Sequence, residues 1–372
     1  MPSQDPASSP ATQEGAPVDT PRVPVVGTRV VVRYTEGGTP TDALGTVVEA
    51  GADTVTVTTK RGPVTIDLST VQLVHELPPA PTKAGPLHRI VSAEDLQRIA
   101  ANTWLPADTT WLNADNLRAE AREDDRDLVQ SGWLLRANGG VTHRANSALP
   151  LGDPGMPPQQ ALDLVTAWFT ERGQKPAFLV HSAAGTQDLA PACAAVAGHF
   201  RDAGLVPSRP TLVLTAATRE VSAGADRPSE AALPGLEIVE HEEPHALHFE
   251  AWGHPEGSAG HEGFRTLVTG PESHRFFSAV ARHPDGSKTL VGVVRLAVSQ
   301  KWAVISDLVV APGVRRRGAG RALVRAAAAG ASVRGVRSAL VQVEATNEAS
   351  LGLMTSLGFS EHHRYWHAVV KA

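Results

Sequence analysis

The fold of this chain is decided by the stretch Ile305-Ser-Asp-Leu-Val-Val-Ala-Pro-Gly-Val-Arg-Arg-Arg-Gly-Ala-Gly-Arg-Ala-Leu-Val324. It begins as an apolar run typical of a strand, turns at Pro312-Gly313, crosses a basic loop with two glycines, and continues as a segment of good helix formers. Backbone amides at the start of a helix have no intrahelical partner, and the helix dipole adds positive potential there. The stretch therefore predicts a site for a phosphorylated cofactor. It has neither the Gly-Lys-Ser/Thr of a P-loop nor the Gly-x-Gly-x-x-Gly of a dinucleotide fold.

The spacing Arg315-x-x-Gly318-x-Gly320 is similar to motif A of the GCN5-related N-acetyltransferase (GNAT) superfamily. The segments that follow resemble its motif B and its last strand: 339–344, Asn347 with a short helix, 357–359, and 361–370. The resemblance implies an α/β (α+β) fold, with a GNAT-type mixed, mainly antiparallel sheet flanked by helices. It also implies an acyltransferase that moves an acetyl group from acetyl-CoA to a primary amine of a small molecule or protein.

The same resemblance implies which residues contact acetyl-CoA. The pantetheine arm would follow the end of the strand, the pyrophosphate would bind the basic loop and the first helical turn, and the later short helix would also touch the cofactor. Asn347 has a second interpretation, as the cap of that short helix. The predicted cofactor-binding residues are Leu308, Val309, Val310, Arg315, Arg316, Arg317, Gly318, Ala319, Gly320, Arg321, Asn347 and Ser350.

Acetylation of an amine needs a base for the amine proton and stabilisation of the oxyanion, for which a backbone N–H near Val310 is the candidate. Asp307 is the first candidate base, followed by Glu344 and then Glu250; a purely structural role for Asp307 is equally compatible with the sequence. Many relatives carry a tyrosine in motif B as the acid for the CoA sulfur, but Met354 stands there in this chain. A thioether does not donate a proton. Either Tyr365 substitutes, or no acid is needed because a thiol of pKa ~8.5 is already a fair leaving group.

Composition limits the other classes of function. The chain has 372 residues, with 34 Lys and Arg against 39 Asp and Glu, so its net charge of −5 does not draw the whole protein to nucleic acid or to a membrane. Cys193 is the single cysteine, which excludes an intramolecular disulfide. Because no long apolar run and no signal-peptide pattern occur, a cytoplasmic protein is expected.

Six segments are predicted along the chain. Residues 1–24 lack large apolar side chains, which predicts a disordered tail. Residues 25–78 contain short β-branched runs separated by Gly-containing turns, which predict a small β-barrel. The segments are a disordered tail over 1–24, a small SH3-like β-barrel over 25–78, a Pro-rich linker over 79–89, a degenerate GNAT-like α/β domain over 90–221, a linker over 222–235, and a catalytic GNAT domain over 236–372. The barrel either docks against a neighbour or reads a peptide or nucleic acid; Tyr34 is its only aromatic residue, which disfavours a peptide groove.

The segment over 90–221 resembles the first half of actinobacterial acetyltransferases that carry two such folds in tandem. The residues that carry this resemblance are the stretch 144–154 and Trp133. A hairpin is predicted around Gly139-Gly140, helices over 157–172 and 188–204, and strands over 175–180 and 209–214. Where a cofactor loop would lie, the chain reads Leu149-Pro-Leu-Gly-Asp-Pro-Gly155, with an acid and no basic loop. This half is therefore predicted not to bind acetyl-CoA but to support the substrate site.

The segment 241–270 is predicted to be rich in loops and contains five histidines. A metal site is one interpretation, but without a cysteine ligand a solvated or substrate-lining segment is favoured, and no metal is expected because the family needs none. Phe249, Glu250 and Trp252 are candidates for lining the acceptor pocket.

A second class of function stays open beside the enzyme. A protein that holds acetyl-CoA without turnover, as a sensor or an interaction module, would also fit the cofactor loop, and Met354 is its main support. The sequence does not identify the acceptor amine, and it leaves a homodimer open.

Overall fold

The computed structural model describes residues 25–77, 86–120, 129–223, 233–271 and 273–371. The predicted tail over 1–24 and most of the two predicted linkers lie outside these residues. Contacts divide the chain into two compact units, Met1–Ala84 and Gly85–Ala372. Within the described ranges, no helix has the length and apolar character needed to cross a bilayer.

The first unit is a five-stranded antiparallel sheet with the order β4-β3-β2-β1-β5. Alternate residues such as Val30, Val32, Val55 and Val57 are buried on one face, as period-two patterning predicts. The sheet is open, with β4 and β5 at its two edges, so the predicted closed barrel is not confirmed. A 3-10 turn over Leu68–Thr70 carries the chain from one edge to the other. The strands are β1 (Arg29–Glu36), β2 (Thr39–Ala50), β3 (Thr54–Thr59), β4 (Gly62–Asp67) and β5 (Val71–Leu77).

The second unit alternates helices and strands. Its first part comprises α1 (Leu87–Ile90), α2 (Ala93–Asn102), β6 (Asp108–Leu112), α3 (Ala114–Glu120), β7 (Trp133–Ala137), β8 (Ser147–Pro150), α4 (Pro158–Glu171), β9 (Ala177–His181), α5 (Pro191–Ala197), β10 (Leu205–Ala217) and α6 (Thr218–Ser222). Its second part comprises β11 (Leu236–His241), α7 (Ala246–Ala251), α8 (His261–Thr269), β12 (His274–Arg282), β13 (Lys288–Ser299), β14 (Trp302–Val310), a 3-10 turn (Pro312–Val314), α9 (Ala319–Val333), β15 (Ser338–Glu344), α10 (Glu348–Ser356) and β16 (Ser360–Val370).

The strands of both parts form one sheet of eleven strands, in the order β11-β12-β13-β14-β15-β10-β16-β9-β8-β7-β6. Strand β10 comes from the first part of the unit, yet it lies between β15 and β16 and is antiparallel to both. Strand β16 then pairs with β9. Only β14–β15 and β8–β9 are parallel pairs, so the predicted mainly antiparallel sheet is confirmed.

Apolar residues cover both faces of this sheet. On one face, α9 packs Leu323, Val324 and Ala327 onto the strands β12 to β15. On the other face, α2 packs Leu96 and Ile99 onto Val304, Leu340 and neighbouring strand residues. The helices α4 and α5 lie over the strands β7 to β9 and enclose a third apolar cluster. The candidate active site lies where β14 and β15 separate.

Two predicted elements differ from the structure. The helix predicted over 188–204 is restricted to Pro191–Ala197, because Pro191 fixes its start and turns occupy the residues from Gly198 onward. The segment predicted to be rich in loops contains α7 and α8. The helix α8 buries Phe264, Leu267 and Val268 at helical spacing, but it is short and is preceded by glycines, which obscures its period.

Candidate active site

A cleft opens between β14 and β15. These strands are parallel neighbours only over 302–304 and 338–340. Beyond that point, β14 continues to pair with β13 as far as Val310, and β15 continues to pair with β10 as far as Glu344. The two strands therefore diverge, and the edge of β14 that carries the predicted pantetheine contacts Leu308 to Val310 is not paired with β15.

A β-bulge interrupts β14 at Asp307. The register against β13 shifts between Val293 and Arg295, and Asp307 has a positive φ of 56°, which is uncommon for a residue other than glycine. Ser306 Oγ donates to Asp307 Oδ2 at 2.7 Å, and Trp252 Nε1 donates to the Asp307 carbonyl at 2.8 Å. The bulge thus holds a carboxylate at the place where the strands separate.

The predicted cofactor loop follows the end of β14. Arg316 (φ 61°) and Gly318 (φ 83°) both adopt left-handed conformations, and α9 begins at Ala319 without a side-chain cap at Gly318. Its first amides are therefore available to an anion. Arg315, Arg316 and Arg317 are exposed, and Arg315 Nε donates to the Val310 carbonyl at 3.1 Å.

The first turn of α9 packs against α10. A Cβ placed on Gly320 would lie 3.3 Å from Leu353 Cδ2 and 3.5 Å from Val310 Cγ2, so glycine allows a close approach here. Arg321 Nη2 donates to Ser356 Oγ at 2.8 Å. The two helices that were predicted to contact the cofactor are therefore adjacent.

Asn347 caps α10, because its Oδ1 accepts from the Ser350 amide at 3.1 Å. This is the structural role that the sequence offered as an alternative. Contact of Asn347 and Ser350 with the cofactor stays a prediction.

The three predicted catalytic groups lie on three different strands, Asp307 on β14, Glu344 on β15 and Tyr365 on β16. Glu344 is exposed at the end of β15 and pairs with Arg209 at 3.1 Å. Tyr365 lies on β16, two strands beyond β15, which places it about 14 Å from β14 at ordinary strand spacing. It is buried opposite Thr211, and burial raises the pKa of its phenol. Met354 is only 4 % exposed and packs into the core.

Several residues near the cleft were missed by sequence reasoning. Arg144 Nη1 donates to Gln342 Oε1 at 2.5 Å, which connects the loop 138–146 to β15. Arg144 and Arg295 lie over the Trp104 ring, at 4.8 and 5.0 Å from its centroid. Arg295 also donates to the Val268 carbonyl at 2.9 Å. The sequence did contain one signal, because Arg295 stands inside the apolar run over 291–298. A charged side chain buried in a strand needs hydrogen-bond partners, which predicts polar groups packed around it.

Three of the five histidines of 241–270, His241, His245 and His248, form a hydrogen-bonded group. His241 Nδ1 and His245 Nε2 are 2.8 Å apart, and the Ser278 hydroxyl lies 3.1 Å from ring nitrogens of both His241 and His248. Burial lowers the pKa of His248 to about 4. No three potential ligands in the described part of the chain are arranged to hold a metal ion. Two surface depressions, of about 350 and 490 Å³, are lined by neither the cofactor loop nor β14.

Comparison with known proteins adds to this geometry. Residues 238–359 match the model of the Acetyltransferase (GNAT) family, and residues 124–189 match the model "Probable histone acetyltransferase Rv0428c C-terminal". The probable histone acetyltransferase Rv0428c of Mycobacterium tuberculosis is 32 % identical over 189 residues, which is 49 % of this chain and 52 % of the relative. This chain thus spans about half the length of the curated relative that it matches.

Two solved structures are similar at low identity. A GCN5-related N-acetyltransferase from Kribbella flavida has 13 % identity and a TM-score of 0.47, covering 70 % of this chain and 97 % of its own. A tandem GNAT protein from the clavulanic acid biosynthesis pathway has 18 % identity and a TM-score of 0.46, covering 61 % and 76 %. The family match over 238–359 supports the predicted GNAT superfamily, and it supports acyltransferase activity in the C-terminal part of the chain.

Proposed function

We propose that this protein transfers an acetyl group from acetyl-CoA to a primary amine. The observation that carries the proposal is the divergence of β14 and β15 beside the uncapped start of α9. An unpaired strand edge offers hydrogen bonds to the amides of a pantetheine arm, and free helical amides favour a pyrophosphate. Both features lie in the part of the chain that matches the acetyltransferase family.

In this proposal, each end of acetyl-CoA has its own binding elements. The pyrophosphate accepts hydrogen bonds from the first amides of α9, and the exposed Arg315, Arg316 and Arg317 add positive charge. The pantetheine arm follows the free edge from Leu308 to Val310, and a backbone N–H near Val310 stabilises the oxyanion as the amine attacks.

Asp307 acts as the base. The amine nitrogen attacks the thioester carbonyl carbon, the C–S bond breaks, and the amine proton passes to the Asp307 carboxylate, directly or through a water. The Ser306 hydroxyl orients that carboxylate. Because Met354 has no proton to donate and Tyr365 is two strands from the cleft, CoA leaves as the thiolate and takes its proton from solvent.

A calorimetric titration of acetyl-CoA into the full chain tests the binding site. One site per chain is expected, and Gly320→Glu removes it because the added side chain occupies the close approach and its charge repels phosphate. Gly198→Glu is the matched control, since a Cβ at Gly198 meets no atom within 4 Å and the residue lies at the end of α5. Unchanged binding by Gly320→Glu would contradict the assigned phosphate site.

Release of free thiol in the presence of an amine panel tests turnover. Thiol release that depends on an amine, and that falls in Asp307→Asn, is expected from the enzyme. Binding of acetyl-CoA with no thiol release above the blank for any amine would favour the sensor, which the core position of Met354 specifically supports.

We also propose that 90–221 is a second, degenerate acetyltransferase-like half that binds no cofactor, and that the protein works in the cytoplasm. Asp153 stands where a basic loop would be needed, and its carboxylate accepts from the Gly155 amide at 2.8 Å. A carboxylate in that place repels a pyrophosphate. The one site per chain expected in the titration tests this half as well, since two sites would contradict it.

A further inference from the structure

A group of basic side chains, here called the basic cluster, lies between the loop 138–146 and the sheet. Its members are Arg136, His143, Arg144, Arg209 and His367. They come from β7, the loop, β10 and β16, so the fold assembles them from both parts of the second unit. The His143 and His367 rings are 5.7 Å apart, and the positive charges of Arg136, Arg144 and Arg209 all act on His367.

Two arginines of the basic cluster lack acidic partners. Arg136 is almost fully buried, and within the described ranges its side-chain hydrogen bonds are both to Ser147, with Nη2 donating to Oγ at 2.9 Å and Nε to the carbonyl at 3.5 Å. Among the described residues, no carboxylate lies within salt-bridge distance of Arg136 or Arg144, whereas Arg209 pairs with Glu344. Buried guanidinium groups are normally paired, since an uncompensated charge is costly in the interior.

His367 supplies an independent indication of a ligand. It is 3 % exposed, and neither ring nitrogen has a hydrogen-bond partner within the described ranges. Burial and the surrounding positive charges lower its pKa to about 3, so the ring is neutral and carries one N–H donor. Trp104 Nε1, beneath Arg144, is also buried without a partner. Orphaned buried donors are rare in proteins, and here they surround two unpaired positive charges.

The basic cluster adjoins the cleft and opens to solvent. Arg144 bonds to Gln342 on β15, the strand that forms one wall of the cleft. Arg295 lies over the same Trp104 ring, and its Nη1 is 3.4 Å from the Ser306 hydroxyl beside Asp307. At the other end, His143 and Arg209 are exposed, so the burial of the cluster increases from its mouth inward.

We propose that the basic cluster binds an oxyanion, a carboxylate or a phosphate, carried by the acceptor amine. This inference rests on the proposed acetyl transfer and names the class of its acceptor. The anion accepts from the Arg144 guanidinium, which lies beside Gln342 on the cleft side of the cluster, with Arg136 and the His367 ring deeper inside. The amine of the same molecule extends past Gln342 towards the cleft. Guanidinium groups suit both oxyanions because their planar donors match paired oxygens.

Matched pairs of amines test the proposal, each with and without the anion and over a range of chain lengths, because His367 lies on β16, about 14 Å from β14 at ordinary strand spacing. The pairs are ω-amino acids against their carboxamides, and phosphorylated amino alcohols against the free amino alcohols. Arg144→Gln is expected to lower kcat/KM for the anionic member about 10- to 100-fold, the effect of losing a charge-assisted hydrogen bond. The neutral member should change less than about threefold. Whichever pair shows the difference identifies the oxyanion as carboxylate or phosphate.

Arg98→Gln is the matched control, because Arg98 also lies over a tryptophan, Trp111, at 4.9 Å, but outside the basic cluster. It should leave both members of each pair unchanged. If Arg144→Gln lowers the Tm, Arg144→Lys replaces it as the test variant, because lysine keeps the charge but lacks the planar guanidinium. A smaller loss of kcat/KM, again confined to the anionic amine, is then expected. Equal losses for both members would overturn the proposal.

Failure of the proposed function gives a different result. If the wild type acetylates no amine, acetate and phosphate are titrated calorimetrically into the wild type and Arg144→Gln. If the wild type binds an anion and Arg144→Gln does not, the basic cluster is an anion site. If the wild type binds neither acetate nor phosphate, the proposal is wrong.

Discussion

Replacing Asp307 by Gly, Ala and Asn separates its backbone role from its chemical role. Asp307 has a φ of 56°, where a Cβ costs about 1–2 kcal/mol. Glycine avoids that strain but loses about 0.5–1 kcal/mol in chain entropy. Since both Gly and Ala lose the hydrogen bond from Ser306, Asp307→Gly should be the more stable of the two by about 1 kcal/mol.

The chemical role predicts a different order. If the carboxylate is the base, Gly, Ala and Asn should all lower kcat by about 10²- to 10⁴-fold. Asn tolerates the left-handed region and still accepts from Ser306, so Asp307→Asn should unfold close to the wild type while being as slow as the others.

Thermal unfolding of the second unit and initial rates of thiol release measure the two effects. A difference of 1 kcal/mol corresponds to a shift of about 2–4 °C in Tm for a domain of this size. Equal or greater stability of the Ala variant would refute the strain at the bulge. Full activity of Asp307→Asn would refute the base and return Glu344 or Glu250 to consideration.

Further predictions concern stability at other positions. Burial and the neighbouring histidines lower the pKa of His363 to about 2, so the unfolded chain takes up this proton first as pH falls below about 6.5. His363 should therefore contribute about 2 kcal/mol to the loss of stability at pH 5, and His363→Gln should reduce the fall of unfolding free energy between pH 7 and pH 5 by that amount; an unchanged fall would contradict it. Gly45→Ala should destabilise the first unit by about 3 kcal/mol or more, since the new Cβ would lie 2.0 Å from the Thr58 carbonyl; faster hydrogen exchange in 25–77 is the measure, and native exchange rates would contradict it. Met354→Leu should cost less than about 1.5 kcal/mol and leave the thiol-release rate unchanged, whereas a large loss of rate would indicate a chemical role for the sulfur.

The sequence indicated the C-terminal elements well because each carries a local signal. The run 305–324 contains strand, turn and helix patterns in succession, and the structure places β14, the 3-10 turn and α9 there. The bulge at Asp307 was not predictable, because an aspartate inside an apolar strand does not reveal a positive φ.

The basic cluster was hidden for a different reason. His367 lies more than 220 residues after Arg136 and Arg144, and each of the three alone is typical of a solvated strand or loop residue. They meet only because β16 crosses to pair with β9, a long-range choice that local patterning does not encode. The helix α7 was missed because His248 and Phe249 occupy buried positions that aliphatic residues usually mark.

The position of β10 also determines the order in which the chain can fold during synthesis. Its neighbours β15 and β16 are translated some 120 to 140 residues later, which at about 5–20 residues per second is a delay of roughly 6–30 s. During that interval both edges of β10 and the β16-facing edge of β9 have no partner strands. Unpaired edges invite association between chains, so the nascent first half is exposed to aggregation until β15 and β16 have been synthesised.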